Sequence, residues 1–272
     1  MEIEAFMTRW TSREGGAERA NFPMFATEVC DQIGVARPDP AGFERKYNDY
    51  VFERAVRRRD CTDAVSSLRI DLYKRGCFIM EAKQSRLPGG YKAMPQRYET
   101  LAHASESGQW DMQMRNARQQ AENYGHLLDP DHPAPPFIIV CDVGRVFELF
   151  ADFSGTGRGY SQFPDRKNFR VPIEALRRPE VREMFARIWT DPYSLDPARQ
   201  TARVTTAIAE RLAVVGRSLE KRYPAEEVAL FLMRCIFCMF AEDVDLLPKG
   251  KFTALLGGVW RSVTGNAGAD AA

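Results

Sequence analysis

The stretch that decides the fold is Arg69-Ile-Asp-Leu-Tyr-Lys-Arg-Gly-Cys-Phe-Ile-Met-Glu-Ala-Lys-Gln84. A short strand and a longer apolar strand flank Lys74-Arg75-Gly76, which predicts a β-hairpin with its turn at the glycine. Side chains alternate between the two faces of a strand, so Glu81 and Lys83 are expected on the same face. Pairing across the turn brings Asp71 beside them. Two carboxylates and a lysine are therefore predicted on one small patch.

Such a patch suits a hard divalent cation such as Mg²⁺, which prefers oxygen ligands and retains several waters. A bound cation lowers the pKa of a water and polarises a phosphoryl oxygen, and a lysine stabilises the negative charge that develops there. The alternative is a hairpin whose charged residues only face solvent. The spacing alone does not separate these two interpretations.

The residues of the hairpin resemble the PD-(D/E)xK nuclease motif. Asp71 and Glu81-Ala82-Lys83 match the motif, whereas Ile70 replaces its proline. The resemblance implies that Asp71 and Glu81 bind Mg²⁺ and that the Ala82 backbone carbonyl completes the ligand shell. It also implies that Lys83 is the catalytic lysine.

Three further elements accompany this resemblance. A carboxylate from an early helix often joins such a site, which makes Glu18 a candidate metal ligand; a solvated glutamate is the alternative. Gln84 follows the catalytic lysine directly and is expected to support it. Gln120 and Tyr124 match the QxxxY element of several members of the superfamily. They lie on one face of a predicted helix, where they would brace the lysine or contact the DNA backbone.

A basic cluster follows the strand predicted over residues 47–53. Arg54, Arg57, Arg58 and Arg59 lie close to the predicted nuclease centre in sequence, and arginines bind backbone phosphates. They are candidate DNA contacts, with a solvated loop as the alternative.

The remaining pattern predicts two domains. Strands at residues 137–142 and 145–150 complete a PD-(D/E)xK domain over residues 1–165, a mixed α/β sheet flanked by helices. Helices at residues 173–189, 198–223 and 225–247 have apolar stripes that need partners, which predicts an all-α helical bundle spacer over residues 166–264. Residues 265–272 form a small-residue tail that is expected to be disordered.

The composition is ordinary for a soluble globular protein, with 44% hydrophobic and 28% charged residues and a net charge of +1. The sequence begins without a signal peptide, and the apolar run Val228–Ala241 is interrupted by Arg234. That run is shorter than the about 18 residues of a membrane span, so a cytoplasmic protein without a membrane partner is expected. Cys235-Ile-Phe-Cys238 lacks a second ligand pair and predicts neither a zinc nor a redox site. Gly155–Gly159 does not open onto a helix, which argues against a nucleotide-binding loop.

Several segments, in order along the chain, resemble the N-terminal part of MmeI-like proteins. These are single-chain type IIL restriction–modification enzymes that join a nuclease, a helical spacer, an adenine-specific DNA methyltransferase and a target recognition domain. The matching segments are Trp10, Gly16-Ala-Glu-Arg-Ala-Asn21, Asp49-Tyr-Val-Phe-Glu53, Arg69-Ile-Asp-Leu-Tyr73, Glu81-Ala-Lys-Gln84 and Cys238-Met-Phe-Ala-Glu-Asp243.

The sequence departs from the family in lacking the S-adenosylmethionine loop and the Asn-Pro-Pro-(Tyr/Phe) motif of the methyltransferase. The resemblance therefore implies a Mg²⁺-dependent endonuclease module for double-stranded DNA, with S-adenosylmethionine used only by the missing part. A truncated reading frame, a domain fragment or a split system would leave the methyltransferase and target recognition domains in cis or on a separate chain. The alternative is a non-catalytic fragment that binds DNA or docks to a methyltransferase. A stand-alone repair exonuclease is disfavoured by the long helical appendage.

Overall fold

The computed structural model describes residues 2–12, 17–59, 65–85 and 109–266. Two compact units divide the chain, one over Met1–Gln200 and the other over Thr201–Ala272. The first unit contains the sheet and the predicted nuclease centre. The second consists of helices.

Within the described part of the chain, seven strands form one mixed sheet with the order β1-β2-β3-β4-β5-β6, and β7 pairs with a second segment of β5. All neighbouring strands are antiparallel except β3 and β4, which are parallel. The strands are β1 (Tyr50–Arg59), β2 (Val65–Lys74), β3 (Phe78–Lys83), β4 (Phe137–Asp142), β5 (Val146–Ala151), β6 (Ser161–Gln162) and β7 (Arg170–Pro172). The predicted mixed α/β sheet is therefore confirmed.

Helices cover the two faces of this sheet. Aromatic and aliphatic side chains of three helices pack on one face, and one helix packs on the other. The first three are α1 (Ile3–Thr11), α2 (Glu18–Ile33) and α4 (Pro179–Thr190), and the helix on the opposite face is α3 (Gln109–Gly125). Both faces of the central strands are consequently covered, and every residue of β3, β4 and β5 except Lys83 is buried.

The predicted hairpin is formed by β2 and β3. Leu72 lies opposite Met80 and Lys74 lies opposite Phe78. The turn contains Gly76 with a φ of +67°, a conformation that favours glycine. The backbone pairing ends at Leu72–Met80, so the strands part next to the predicted catalytic residues.

Helix α4 belongs to the core of the first unit. Its Trp189 lies 4.3 Å from Phe78, measured between ring centroids, and donates its indole N–H to the Tyr50 hydroxyl at 2.9 Å. Phe185 makes an edge-on contact with Phe147 at 5.1 Å. The first unit thus extends beyond the boundary predicted at residue 165, because α4 supplies the aromatic layer that covers the hairpin.

The single helix predicted over residues 173–189 is instead two elements. A 3₁₀ helix spans Ile173–Arg177, and α4 begins at Pro179 after an extended Arg178 with a ψ of 126°. The proline ring disfavours the helical conformation in the residue that precedes it, which separates the two helices.

The second unit contains most of α5 (Pro197–Leu219), together with α6 (Ala225–Asp243) and α7 (Lys251–Asn266). The sequence predicted α5 and α6 but not α7, whose first turn is capped by the Glu242 carboxylate binding the Phe252 N–H. Of the predicted tail, residues 265 and 266 belong to α7 and residues 267–272 lie outside the described residues. No helix in the described part of the chain has the length and apolarity needed to cross a bilayer.

The glycine-rich segment Gly155–Gly159 folds around one carboxylate. Asp152 accepts the backbone N–H groups of Ser154, Arg158 and Gly159 at 2.9–3.2 Å. Burial opposes ionisation there, but these donors and the Ser154 hydroxyl lower the pKa of Asp152 to about 2. The amides that a phosphate loop would offer to a ligand are therefore occupied by the chain itself.

Gly144→Ala is expected to lower the free energy of unfolding more than Gly76→Ala. Both glycines have a positive φ, so either replacement strains the backbone by about 1–2 kcal/mol. A Cβ at Gly144 would also lie 2.6 Å from the Trp10 carbonyl oxygen, whereas nothing lies within 4 Å of a Cβ at Gly76. Urea unfolding should show an extra loss of about 1–3 kcal/mol for Gly144→Ala. Equal losses would contradict the close approach of α1 to the β4–β5 turn.

Candidate active site

The two predicted metal-binding carboxylates lie where β2 and β3 part. Asp71 is half-buried, and its Oδ2 accepts the backbone N–H of Ala82 at 2.7 Å. This side-chain bond takes the place of a backbone pair between the strands. Glu81, which shares one face of β3 with Lys83, is completely shielded from solvent.

Lys83 reaches the same patch. Its Nζ lies 3.9 Å from Glu81 Oε2 and 4.0 Å from Glu18 Oε1, and it donates to the Ala82 carbonyl at 2.6 Å. Alternation along β3 places Met80 and Ala82 in the core on the opposite face, as the hairpin pattern predicts. The structure therefore brings Asp71, Glu81 and Lys83 together.

The start of α2 is bonded to the end of β3 through Gln84. The Gln84 N–H donates to Glu18 Oε2 at 3.1 Å, and Gln84 Oε1 accepts the Ala17 N–H at 3.2 Å and the Asn21 side-chain amide at 3.1 Å. Glu18 and Gln84 are thus both located at the centre. Asn21 was missed, although it lies three residues after Glu18 and hence on nearly the same face of the helix.

Helix α3 contributes Gln120 and Tyr124 from the opposite side. Gln120 Nε2 donates to Glu81 Oε2 and to the Tyr124 hydroxyl, both at 2.8 Å. The expectation was that this pair braces the lysine or contacts DNA, but Gln120 binds the carboxylate of Glu81. The QxxxY element therefore orients a candidate metal ligand.

Burial dominates the electrostatics of the two carboxyls. Burial and the nearby Asp71 raise the pKa of Glu81 to about 9. Burial also raises the pKa of Asp71, although the Ala82 N–H acts in the other direction. Two carboxyls this close cannot both ionise readily unless a positive charge compensates them.

A divalent cation fits these residues. Glu81 Oε1 is buried and accepts no hydrogen bond from the described residues, which leaves one oxygen free to bind a cation. Mg²⁺ is commonly held by one or two carboxylates and otherwise keeps its waters, so a pair of carboxylates suffices. Among the described residues, no group of three His, Cys, Asp or Glu side chains is arranged to hold a metal. The role of Glu18 as a further ligand stays a prediction.

The predicted role of Arg54 in DNA contact is wrong. Its side chain is 1% exposed, lies 4.7 Å from the centre of the Tyr73 ring and donates to the Asn48 carbonyl at 2.5 Å. The guanidinium also lies 3.5 Å from the Asp129 carboxylate, so the Arg54 side chain pairs with groups of the protein and does not face solvent. The side chains of Arg57, Arg58 and Arg59 lie outside the described residues.

One buried residue next to the centre was also missed. Asp142 ends the apolar strand β4 and accepts hydrogen bonds from Ser85 and Trp110. A polar residue at the end of an otherwise apolar strand was the available signal. Its partners, however, could not be read from the sequence because they come from distant segments.

The fold and the hairpin together define an α/β domain of the PD-(D/E)xK type, followed by a helical unit. Residues 1–222 match the family model described as "MmeI, N-terminal domain", and residues 226–269 match the one described as "MmeI, helicase spacer domain". The chain belongs to the MmeI family, which confirms the resemblance, and it corresponds to the N-terminal and spacer region of a type IIL restriction–modification enzyme. No curated protein and no solved structure matches the chain.

Glu81→Gln is expected to stabilise the metal-free chain at about pH 8, since it removes a buried carboxyl and keeps an oxygen for Gln120. The pKa of Glu81 rises on folding from 4.5 to about 9, so the folded chain holds more protons between these values. The contribution of the protonated Glu81 carboxyl to wild-type stability is complete below the lower pKa. It is lost as the pH rises through the higher pKa. Thermal unfolding in EDTA at a series of pH values measures this effect. The free energy of unfolding should fall more steeply with rising pH in wild type than in Glu81→Gln, by at most about 1.4 kcal/mol per pH unit.

Glu148→Gln is the matched control for this experiment. Glu148 is similarly buried, at 3% exposure, but it accepts a hydrogen bond from Arg170 Nε at 2.6 Å. Its replacement should destabilise the chain at about pH 8, because the half-buried Arg170 guanidinium loses one of its two carboxylate partners and keeps only Asp111. Parallel pH profiles for wild type and Glu81→Gln would contradict the elevated pKa.

Proposed function

We propose that the chain is the Mg²⁺-dependent endonuclease module of its restriction–modification system and hydrolyses phosphodiester bonds in double-stranded DNA. One observation carries the proposal: a fully buried glutamate, Glu81, has an oxygen without a hydrogen bond and lies beside Asp71 and Lys83. A buried carboxyl oxygen without a hydrogen bond lowers the stability of the metal-free chain, and a bound cation offsets that loss. Membership in the MmeI family supports the same conclusion.

In this proposal, Asp71, Glu81 and the Ala82 carbonyl hold the cation, and Glu18 lies close to it through its bond with Gln84. Mg²⁺, when bound, would polarise the scissile phosphate and lower the pKa of a water. These ligands come from two inner strands of the sheet, β2 and β3, which keeps their geometry constant during turnover.

Lys83 and Gln120 have separate roles in the proposed reaction. Lys83 places a positive charge within about 4 Å of both Glu81 and Glu18, where it stabilises negative charge developing on the phosphate. Gln120 fixes the orientation of Glu81 through its hydrogen bond. Water attacks the phosphorus in line and gives up a proton to solvent. The bond to the 3′ oxygen breaks and that oxygen takes up a proton, which leaves 5′-phosphate and 3′-hydroxyl ends.

The proposal extends to partners in the same system. A methyltransferase and a target recognition domain, in cis or on a separate chain, would supply sequence specificity and use S-adenosylmethionine. Because a nuclease of such a system would meet its DNA inside the cell, a cytoplasmic location is part of this proposal.

A non-catalytic fragment that binds DNA or docks to a methyltransferase is the second candidate. It is favoured by one observation, that the described residues contain no group of three metal-ligating side chains. DNA binding that weakens with salt, without cleavage when Mg²⁺ is added, would favour this candidate.

Asp71→Asn and Lys83→Ala are each expected to lower Mg²⁺-dependent cleavage of plasmid DNA by about 100-fold or more. Asp71→Asn keeps an oxygen for the Ala82 N–H and removes the charge, and Lys83→Ala removes the cationic group. Plasmid nicking and linearisation by the 272-residue chain, with and without a partner methyltransferase, measure the effect.

Lys74→Ala is the control, because Lys74 belongs to the same hairpin but lies at its other end, with Nζ 4.2 Å from the centre of the Tyr50 ring. It should cleave at the wild-type rate. Cleavage by Asp71→Asn or Lys83→Ala at the rate of Lys74→Ala would refute the assigned centre.

A further inference from the structure

Asp142 is a third buried carboxylate, located at the end of β4 and fully shielded from solvent. Its Oδ1 accepts the backbone N–H of Ser85 at 2.8 Å. Its Oδ2 accepts the indole N–H of Trp110 at 2.8 Å and the Ser85 hydroxyl. One side chain thus binds three donors from two separate segments of the chain.

The first segment carries the candidate catalytic lysine. Ser85 follows Lys83 by two residues, and Lys83 pairs with Asp142 in the parallel register of β3 and β4. The Val143 N–H donates to the Lys83 carbonyl at 2.7 Å. The end of β4 therefore determines the path of the backbone on leaving Lys83.

The second segment carries the donor to Glu81. Trp110 lies in the first turn of α3 and is buried against the sheet. Ten residues later the same helix presents Gln120 to Glu81 Oε2. Anchoring Trp110 consequently constrains the position of Gln120 along the helix axis.

We infer that Asp142 is a positioning residue of the active site, which holds the Lys83 strand and the Gln120 helix at a constant separation. The inference rests on the proposed nuclease function. Only a carboxylate can serve this arrangement, because it has two acceptor oxygens and no N–H. Asparagine would retain one acceptor and direct an NH₂ group at one of the donors.

The chain offers a matched control in Asp152. This residue is also buried, at 5% exposure, and it also accepts a backbone N–H and a hydroxyl from one serine, Ser154. Its other partners all belong to the glycine-rich loop. Asp142→Asn and Asp152→Asn thus disrupt similar bonds, but only the first touches segments of the active site.

The experiment compares the two variants in the full chain by Mg²⁺ titration. Asp142→Asn should raise the Mg²⁺ concentration that half-saturates cleavage, and lower the maximal rate, each by roughly 10- to 100-fold. The Mg²⁺-induced rise in melting temperature should need correspondingly more Mg²⁺. Asp152→Asn should lose thermal stability yet keep wild-type Mg²⁺ dependence.

Two milder variants serve if Asp142→Asn does not fold. Ser85→Ala removes one hydroxyl donor, and Trp110→Phe removes the indole N–H while retaining most of the ring. Each should shift the Mg²⁺ dependence in the direction of Asp142→Asn, by a smaller factor.

The outcomes separate the two proposals. Mg²⁺ dependence equal to wild type in Asp142→Asn, or in both milder variants if Asp142→Asn does not fold, would overturn the positioning role alone. A wild-type chain that binds Mg²⁺ without cleaving DNA would overturn the nuclease function, and the Mg²⁺-induced melting shifts would still decide the role of Asp142. A wild-type chain that neither cleaves DNA nor responds to Mg²⁺ would overturn both.

Discussion

The hydrogen bond from the Ala82 N–H to the Asp71 carboxylate is the interaction on which the site depends. It ends the backbone ladder between β2 and β3, so the two strands part without leaving a buried donor unpaired. The opening turns Asp71 toward Glu81 and places Lys83 beside both. Two carboxyls in a dry environment repel one another, and the aromatic core beneath β3 keeps the strands in position despite that cost.

The sequence predicted the parts of the site that are close together along the chain. Asp71, Glu81 and Lys83 belong to one hairpin, and alternation along a strand is enough to place them on one face. The bonds of Asn21 and Asp142 join residues 63 and 57 positions apart, so they depend on how helices and strands pack. Gln120 donates to Glu81, a partner that depends on how α3 packs against the sheet and could not be read from the sequence.

Arg54 and α4 show why the remaining predictions differ from the structure. A run of arginines after a strand looks solvated, yet Arg54 faces the interior because an aromatic ring and a backbone carbonyl receive its guanidinium. The predicted domain boundary at residue 165 followed the change from strands to helices along the sequence. Helix α4 lies after that boundary but packs in the core of the first unit, because Trp189 contacts Phe78 of the hairpin.

The contact between α4 and the hairpin has a consequence for biosynthesis. Cys77 donates to the Trp189 carbonyl across 112 positions of sequence, so the hairpin leaves the ribosome long before its cover is made. The strands of the candidate site therefore lack their aromatic cover during translation of more than a hundred further residues. For a chain that we propose cuts DNA, this order of synthesis delays activity until the N-terminal unit is nearly whole.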